Sequence, residues 1–229
     1  MNAFAGKAFV LRVDESAAYA DDSTLTSDLA FLSRNNVRPI VIAPNPSAAH
    51  ALVRTINRGG NSAVGLDGAD AGMLPQRGPG LGNIDAGILQ TLTQSGYIPV
   101  IQPTSFAPFG EDAQLRADDV AQAIAAATEA IRAIFFHVLG GIRDPKTAAI
   151  IDELTPAEAL ELAADPRVPE DLRHSIRAAA LGVRAGVEAA QIMDGRVAHV
   201  SIVELMTRQH VGTQVAGSVM PFTAGDLPC

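Results

Sequence analysis

Short apolar runs alternate along this chain with longer stretches whose apolar residues recur every three or four positions. That alternation predicts strands and helices in turn. Ala8–Val13 predicts a strand, and Ser23–Asn35 a helix capped by Ser23 or Thr24. Pro39–Ala43 predicts a second buried strand, closed by Pro44-Asn45-Pro46, and Ala48–Arg58 a helix stopped by Gly59-Gly60-Asn61. Ala63–Leu66 reads as a strand, Ile84–Ser95 as a helix and Ile98–Gln102 as a strand. The alanine-rich stretch Asp118–Ala130 predicts a helix, and Ile134–Leu139 a strand ended by Gly140-Gly141. Pro156–Ala164 and Pro169–Ala185 follow as helices. Gln191–Met193 and Val200–Ile202 predict short strands around the turn Asp194-Gly195.

Strands alternating with helices at this spacing imply βαβ units, a mainly parallel sheet and the α/β class. The strands lack polar alternation, as expected where helices cover both faces. Turn-rich Phe106–Ala113 marks a division between an N-terminal lobe, residues 1–107, and a C-terminal lobe, residues 108–229. It is too short for a flexible linker, so one continuous domain is expected. The tail from Gly217 is expected to be loose.

Charge and cysteine content narrow the function classes. Seventeen basic residues oppose twenty-five acidic ones in 229, a formal net charge of −8. That balance disfavours nucleic-acid and membrane-surface binding. No apolar run is long enough to span a membrane. The single cysteine, Cys229, leaves no internal disulfide and no cysteine metal cage. No secretory signal is evident, so cytoplasmic residence is expected. Only two of the basic residues are lysines, Lys7 and Lys146.

Local motifs are few. Glycine clusters at Gly59-Gly60, Gly65–Gly72, Gly78–Gly82 and Gly140-Gly141 offer backbone amides that suit anions, but ordinary turns explain them better. None forms a Rossmann or P-loop signature. The histidines make no metal-binding pair. His137 stands out because it ends a predicted buried strand, where open α/β sheets place ligands. Asp118 opens a helix and suits an N-cap as well as a catalytic carboxylate. Asp14, Glu15, Asp67 and Asp70 lie at predicted strand ends, and no metal site is assigned to them.

Several ordered segments together resemble the amino-acid kinase family, most closely its acetylglutamate kinase branch. They are Ile56-Asn-Arg-Gly-Gly-Asn-Ser-Ala-Val-Gly-Leu-Asp-Gly68, Gly96-Tyr-Ile-Pro-Val-Ile-Gln-Pro103, Arg116-Ala-Asp-Asp-Val-Ala121, Ile134-Phe-Phe-His-Val-Leu-Gly-Gly-Ile-Arg-Asp144, Ile151-Asp-Glu-Leu-Thr155, Ile192-Met-Asp-Gly-Arg-Val-Ala-His199, Glu204-Leu-Met-Thr207 and Gly212-Thr213. The resemblance covers most of residues 8–215. It implies a three-layer α/β/α sandwich whose N-terminal lobe holds a phosphoryl acceptor and whose C-terminal lobe holds ATP. It also implies phosphoryl transfer to a carboxylate-type oxygen, driven by lysines and glycine-loop amides with an aspartate orienting the lysines.

Against that pattern, the chemical positions differ. The first strand runs Leu11-Arg-Val-Asp-Glu15, with Arg12 in place of a lysine and two acids in place of glycines. The second ends Ala43-Pro-Asn-Pro46 in place of a histidine and three glycines, and proline has no amide to donate. The substrate lid is absent. Glu170-Asp-Leu-Arg-His-Ser175 stands where two glycines and a lysine belong, and His137-Val138 replaces a Thr-Asp pair. Asp118 keeps its place.

The expectation is an acetylglutamate kinase-like pseudokinase without a cofactor, serving in ligand binding, regulation or assembly. Its expected partners are a small molecule and a second copy, an active kinase or an acyltransferase. Asp118 and Arg12 are the catalytic remnants. Asp14, Glu15, Asn45, Gly65, Gly68 and His137 are candidate ligand contacts, and Gly140, Gly141, Asp144 and Ser175 are remnants of the nucleotide loops. One alternative is an active kinase that uses ATP and Mg with Arg12 or Arg173 in place of lysine. Another is a cleft rebuilt for different chemistry around the new acids and His137.

Overall fold

A computed structural model of the chain describes residues 4–19, 24–60, 62–78, 80–107, 110–206 and 211–217. The predicted Cys229 tail lies outside them. The strands are β1 (Ala8–Arg12), β2 (Arg38–Ile42), β3 (Ala63–Leu66), β4 (Gln76–Arg77), β5 (Gly80–Leu81), β6 (Ile98–Ile101), β7 (Arg132–Phe136), β8 (Glu153–Leu154), β9 (Ala189–Met193) and β10 (Thr213–Ala216). The helices are α1 (Glu15–Ala18), α2 (Thr24–Arg34), α3 (Pro46–Arg58), α4 (Gly87–Gln94), α5 (Ala117–Ala127), α6 (Pro156–Ala163), α7 (Glu170–Arg184) and α8 (Val200–Met206).

Eight strands form one sheet in the order β3-β6-β2-β1-β7-β9-β10-β8, and β4 pairs with β5 in a separate hairpin. Pairing is parallel from β3 through β9. It turns antiparallel between β9 and β10, and β8 runs parallel to β10. The sheet is continuous across the turn-rich segment that divides the two predicted lobes.

Central strands send successive side chains into opposite layers. Val10 of β1 faces one core with Leu89 of α4, Val120 and Ile124 of α5, Ala159 of α6 and Ile176 of α7. Phe9 and Leu11 face the other with Ala17 of α1, Leu29 and Leu32 of α2, Leu52 and Ile56 of α3 and Val200 of α8. Helices on both faces make the three layers, and they bury the apolar runs that announced the strands.

Two sequence expectations change. Val200–Ile202 opens α8 instead of forming a strand. The Val203 amide donates to the His199 carbonyl, one helical turn back. The predicted helix at Ile84 begins at Gly87, where Asp85 Oδ1 takes the Gly87 amide in a turn. Helix α1 and strands β4, β5, β8 and β10 had no predicted counterpart, the first four because two to four residues show no period.

Candidate functional site

The strand order leaves β1 in opposite directions, toward β2 and toward β7. Open parallel sheets bind ligands at such a switch point, at the carboxyl ends of the strands. Arg12 is the last residue of β1 and reaches over this edge. Its Nη1 donates to the Phe136 carbonyl at the end of β7 at 2.9 Å, and its Nη2 donates to Asp118 Oδ2 at 3.3 Å. Its Nε lies 3.3 Å from Asp118 Oδ1, an ion-pair distance, but the N–H is not aimed at that oxygen. Asp118 sits in the first turn of α5, where the helix dipole favours a carboxylate. From α7, the Ser175 hydroxyl donates to Asp118 Oδ1 at 2.7 Å. Asp118 is 3% exposed and Ser175 0%. The cluster is closed: the carboxylate is held by an arginine and a hydroxyl, and the arginine is committed to the carboxylate and a carbonyl.

The next two loops are filled by caps. Asp14 Oδ1 accepts the Ala17 amide at 2.8 Å and so caps α1 directly after β1. Asn45 Oδ1 accepts the Ala48 amide at 2.9 Å and caps α3, whose first residue is Pro46. Asn45 Nδ2 donates to Glu15 Oε1 at 2.9 Å and ties the two loops together. One amide at each of these helix starts, that of Ala17 and that of Ala48, is therefore spent within the protein.

On the β7 side, the Leu139 amide donates to His137 Nδ1 at 3.2 Å. That bond fixes Nδ1 as the acceptor and places the proton on Nε2, which faces Asp171 Oδ2 of α7 at 3.2 Å. Partial burial works to raise the Asp171 pKa, but the Leu172 amide and His137 outweigh it and leave it low. Gly140 and Gly141 follow with φ of 69° and 145°. A side chain at Gly141 would press on Gly212 and on Thr213 Oγ1, which accepts the Ile142 amide at 2.8 Å. Asp144 turns its own loop by accepting the Lys146 and Thr147 amides, which keeps its carboxyl below the usual range.

The turn after β9 covers this edge. Asp194 holds Arg196 through both carboxylate oxygens at 2.9 and 2.7 Å, and Arg196 Nη2 donates to the Val138 carbonyl at 3.0 Å. A Cβ at Gly195 would lie 2.5 Å from the Phe136 ring and 3.1 Å from Ala17, so the turn packs directly on β7 and α1. Arg196 and Asp194 are site-edge residues that the sequence reading missed, although Asp194-Gly195 had been read as a turn.

The other predicted residues are dispersed. Gly68 packs against the Thr104 backbone carbonyl with no room for a side chain, and Gly65 lies in β3 beside Val53. Lys7 immediately precedes β1 at the opposite edge of the sheet, and Lys146 lies in the Asp144 loop. Arg173 lies in the first turns of α7, away from the cluster's hydrogen bonds, with its Nε buried and without a hydrogen-bond partner among the described residues. Among the described residues no group of three or more His, Cys, Asp or Glu side chains is placed to hold a metal ion. No described helix is long and apolar enough to cross a membrane.

Residues 47–194 match the amino acid kinase family. The chain belongs to that family. Acetylglutamate kinase of Thermosynechococcus vestitus is 28% identical, with 95% of this chain and 91% of the relative aligned. Acetylglutamate kinase of Synechococcus sp. strain RCC307 is 37% identical over 73% of this chain and 60% of its own length. The structure of N-acetylglutamate synthase from Neisseria gonorrhoeae, complexed with coenzyme A and N-acetyl-glutamate, superposes with a TM-score of 0.79 at 18% identity and shows the same fold. That likeness covers 96% of this chain and 61% of the synthase chain.

The part of this amino acid kinase that matches the family carries Gly65, Gly68, Asp118, His137, Gly140, Gly141, Asp144 and Ser175. Arg12, Asp14, Glu15 and Asn45 precede it. The cluster at the switch point therefore joins Asp118 and Ser175 from inside the matched span to Arg12 from outside it.

Proposed function

We propose that this chain is a pseudokinase of the amino acid kinase family, acetylglutamate kinase-like in fold and serving as a regulatory or assembly subunit. The carrying observation is the closed Arg12–Asp118–Ser175 cluster. Phosphoryl transfer needs cations and amides free to neutralise a triphosphate. Here Arg12 is spent on Asp118 and the Phe136 carbonyl. After β1 the Ala17 amide is spent on Asp14, and after β2 the Ala48 amide on Asn45, with Glu15 adding a negative charge beside them. Both lysines lie off the cluster. Removing one transition-state donor costs roughly 2.7–4 kcal/mol, so the combined changes remove useful turnover. A kinase that replaced lysine with Arg12 or Arg173 would need their donors aimed at the phosphates. Arg12 Nη1 is instead held on the Phe136 carbonyl, and Arg173 has its Nε buried, without a hydrogen-bond partner among the described residues.

A regulatory role implies a partner: a second copy, an active kinase or an acyltransferase. The fold shared with a synthase crystallised with coenzyme A supports the last. Calorimetric titration with Mg·ATP and with ADP tests the reading, alongside an ADP-release assay with N-acetylglutamate as acceptor. The expected result is no acceptor-dependent ADP release and no micromolar ATP binding. Micromolar binding together with acceptor-dependent release overturns it.

A further inference from the structure

A histidine nitrogen with a free lone pair is a nucleophile near neutral pH, and what one ring nitrogen holds decides which nitrogen that is. Four of the five histidines lie among the described residues. His50 is exposed and has no hydrogen-bond partner there. His174 Nε2 stands 3.8 Å from Glu170 Oε1, beyond hydrogen-bond reach. His137 is buried and engages both nitrogens, on the Leu139 amide and on Asp171. His199 differs from all three. Its Nδ1 lies 2.7 Å from Asp28 Oδ1, its side chain is 54% exposed, and Nε2 has no partner among the described residues.

Asp28 is not a surface carboxylate. It shares the buried face of α2 with Leu29 and Leu32, and its side chain is 3% exposed. Taking a carboxylate out of water costs free energy that its hydrogen bonds must offset. An ionised carboxylate only accepts, so the proton of the 2.7 Å contact belongs to Nδ1 and the lone pair to Nε2. The backbone holds the ring in place as well. His199 has a φ of 58°, a left-handed conformation that a non-glycine residue adopts at a cost. Its carbonyl accepts the Ile202 and Val203 amides in the first turn of α8. A nitrogen oriented from behind by a buried carboxylate, on a half-exposed ring, suits attack on a small electrophile. The same carboxylate offsets the positive charge that the ring gains on attack.

We propose that His199 is a phosphoryl acceptor that takes the group on Nε2 from a donor of the phosphoramidate class. The Nε2 lone pair attacks phosphorus, and the P–N bond of the donor breaks. The donor's protonated nitrogen leaves as a neutral amine with the bonding pair. His199 then carries the phosphoryl group on Nε2 and keeps its proton on Nδ1, a cationic ring facing the Asp28 carboxylate. The bond made and the bond broken are of one kind. The site uses none of the Arg12, Asp118 and Ser175 side chains and is independent of the catalytic status of that cluster.

Incubation of the full chain with phosphoramidate, followed by phosphorus NMR and by mass-spectrometric mapping at alkaline pH, tests it. An acid-labile, alkali-stable phosphoryl group is expected on His199 Nε2. It should form at least about tenfold faster than on His50, the unanchored reference in the same molecule. Asp28→Asn is expected to slow labelling of His199 about 10–100-fold, the range seen when the carboxylate behind a metal-bound histidine is lost. His50 should label at the same rate in both proteins. His199→Asn, which tolerates the left-handed backbone, should abolish the fast label alone. If Asp28→Asn does not fold, the ratio of the two histidines in the parent chain decides. The proposal fails if no label forms on His199, if His50 labels as fast, if the group sits on Nδ1, or if Asp28→Asn folds and labels His199 at the parent rate.

Discussion

Arg12 reaches from the end of β1 to a carboxylate that begins α5, and its guanidinium lies 3.3 Å from each oxygen of Asp118. The two residues are 106 positions apart in the chain and join the central strand to the helix layer. A nearly buried pair of this kind is most costly when one partner is removed, because the other is left charged and unpaired. Arg12→Ala and Asp118→Ala are each expected to destabilise the fold by about 3–5 kcal/mol. The double variant Arg12→Ala, Asp118→Ala is expected to lose less than the sum of the two single losses. Urea unfolding of the four proteins gives the coupling. Additive losses would show that the pair does not act as a unit.

Ser175 completes the same carboxylate. Its hydroxyl is fully buried and donates at 2.7 Å. Ser175→Ala removes a hydrogen bond to a charged group and is expected to cost about 1.5–3 kcal/mol. Ser175→Cys nearly keeps the size and should fall between. A Ser175→Ala protein as stable as the parent would show that Arg12 alone holds Asp118.

Asp119, one residue on, points the other way energetically. Although its surface is exposed, partial desolvation of its carboxyl by the surrounding chain raises its pKa more than Arg116, His174 and Arg177 lower it, with Asp118 adding to the rise, so the effect on stability is small. A carboxyl raised in the folded state favours folding while protonated. Its penalty grows as pH climbs from the unfolded value, about 3.9, through the folded value, and is complete above that. Asp119→Asn is therefore expected to raise the thermal midpoint at pH 7. The gain should fade as pH falls below the ordinary carboxylate range. A variant less stable than the parent at pH 7 would mean that the neighbouring cations outweigh burial.

How much of this was legible in the sequence follows from the physics of each element. Buried parallel strands are continuous apolar runs, so β1, β2, β3, β6 and β7 were all read from the chain. Val200-Ser-Ile202 is short and has β-branched residues at both ends, and only its packing beside α2 in the second core decides for helix. Asp14 and Asn45 were read as ligand contacts and are helix caps in the structure. Pro46 directly after Asn45 carried that signal, since proline at the first helical position follows a capping residue. The family resemblance singles out both Arg12 and Asp118. The closure of their pair by Ser175, and the Asp194–Arg196 cover, depend on side-chain directions that no spacing encodes.

That cover rests on carboxylates whose pKa values lie low. Hydrogen bonds from Arg196 hold Asp194 down, and the Lys146 and Thr147 amides hold Asp144 down. A carboxylate depressed in the folded state contributes stability that is complete above its unfolded pKa. That contribution is lost as pH falls through the folded value. The loops after β7 and β9 are thus expected to loosen below about pH 4, before the sheet unfolds. Hydrogen exchange at residues 138–150 and 194–199 should quicken there while β1 and β7 stay protected. Asp194→Asn should bring the same loosening at pH 7. Equal exchange rates in parent and variant at pH 7 would remove Asp194 from the clamp.

Two glycines are fixed by neighbouring backbone. At Gly212, φ is 93° and an added Cβ would run into the Ile192 carbonyl oxygen. At Gly68 it would run into the Thr104 carbonyl oxygen. Neither obstacle is the flexible end of a side chain, so the chain must shift to admit even one carbon. Gly212→Ala combines that clash with a left-handed backbone. It is expected to cost at least the upper end of the roughly 1–3 kcal/mol seen for backbone strain, and it should expose Thr213 and so free the Ile142 amide. Gly68→Ala should cost a similar amount while leaving the Thr213–Ile142 contact intact. Gly60 serves as control, because nothing lies within 4 Å of an added Cβ and no positive φ is needed. Gly60→Ala is expected to be neutral or to stabilise by about 0.4–1 kcal/mol by restricting the unfolded chain. Thermal melts order the three variants. If Gly212→Ala melts with the parent, β9 and β10 are not packed as closely as their antiparallel register places them.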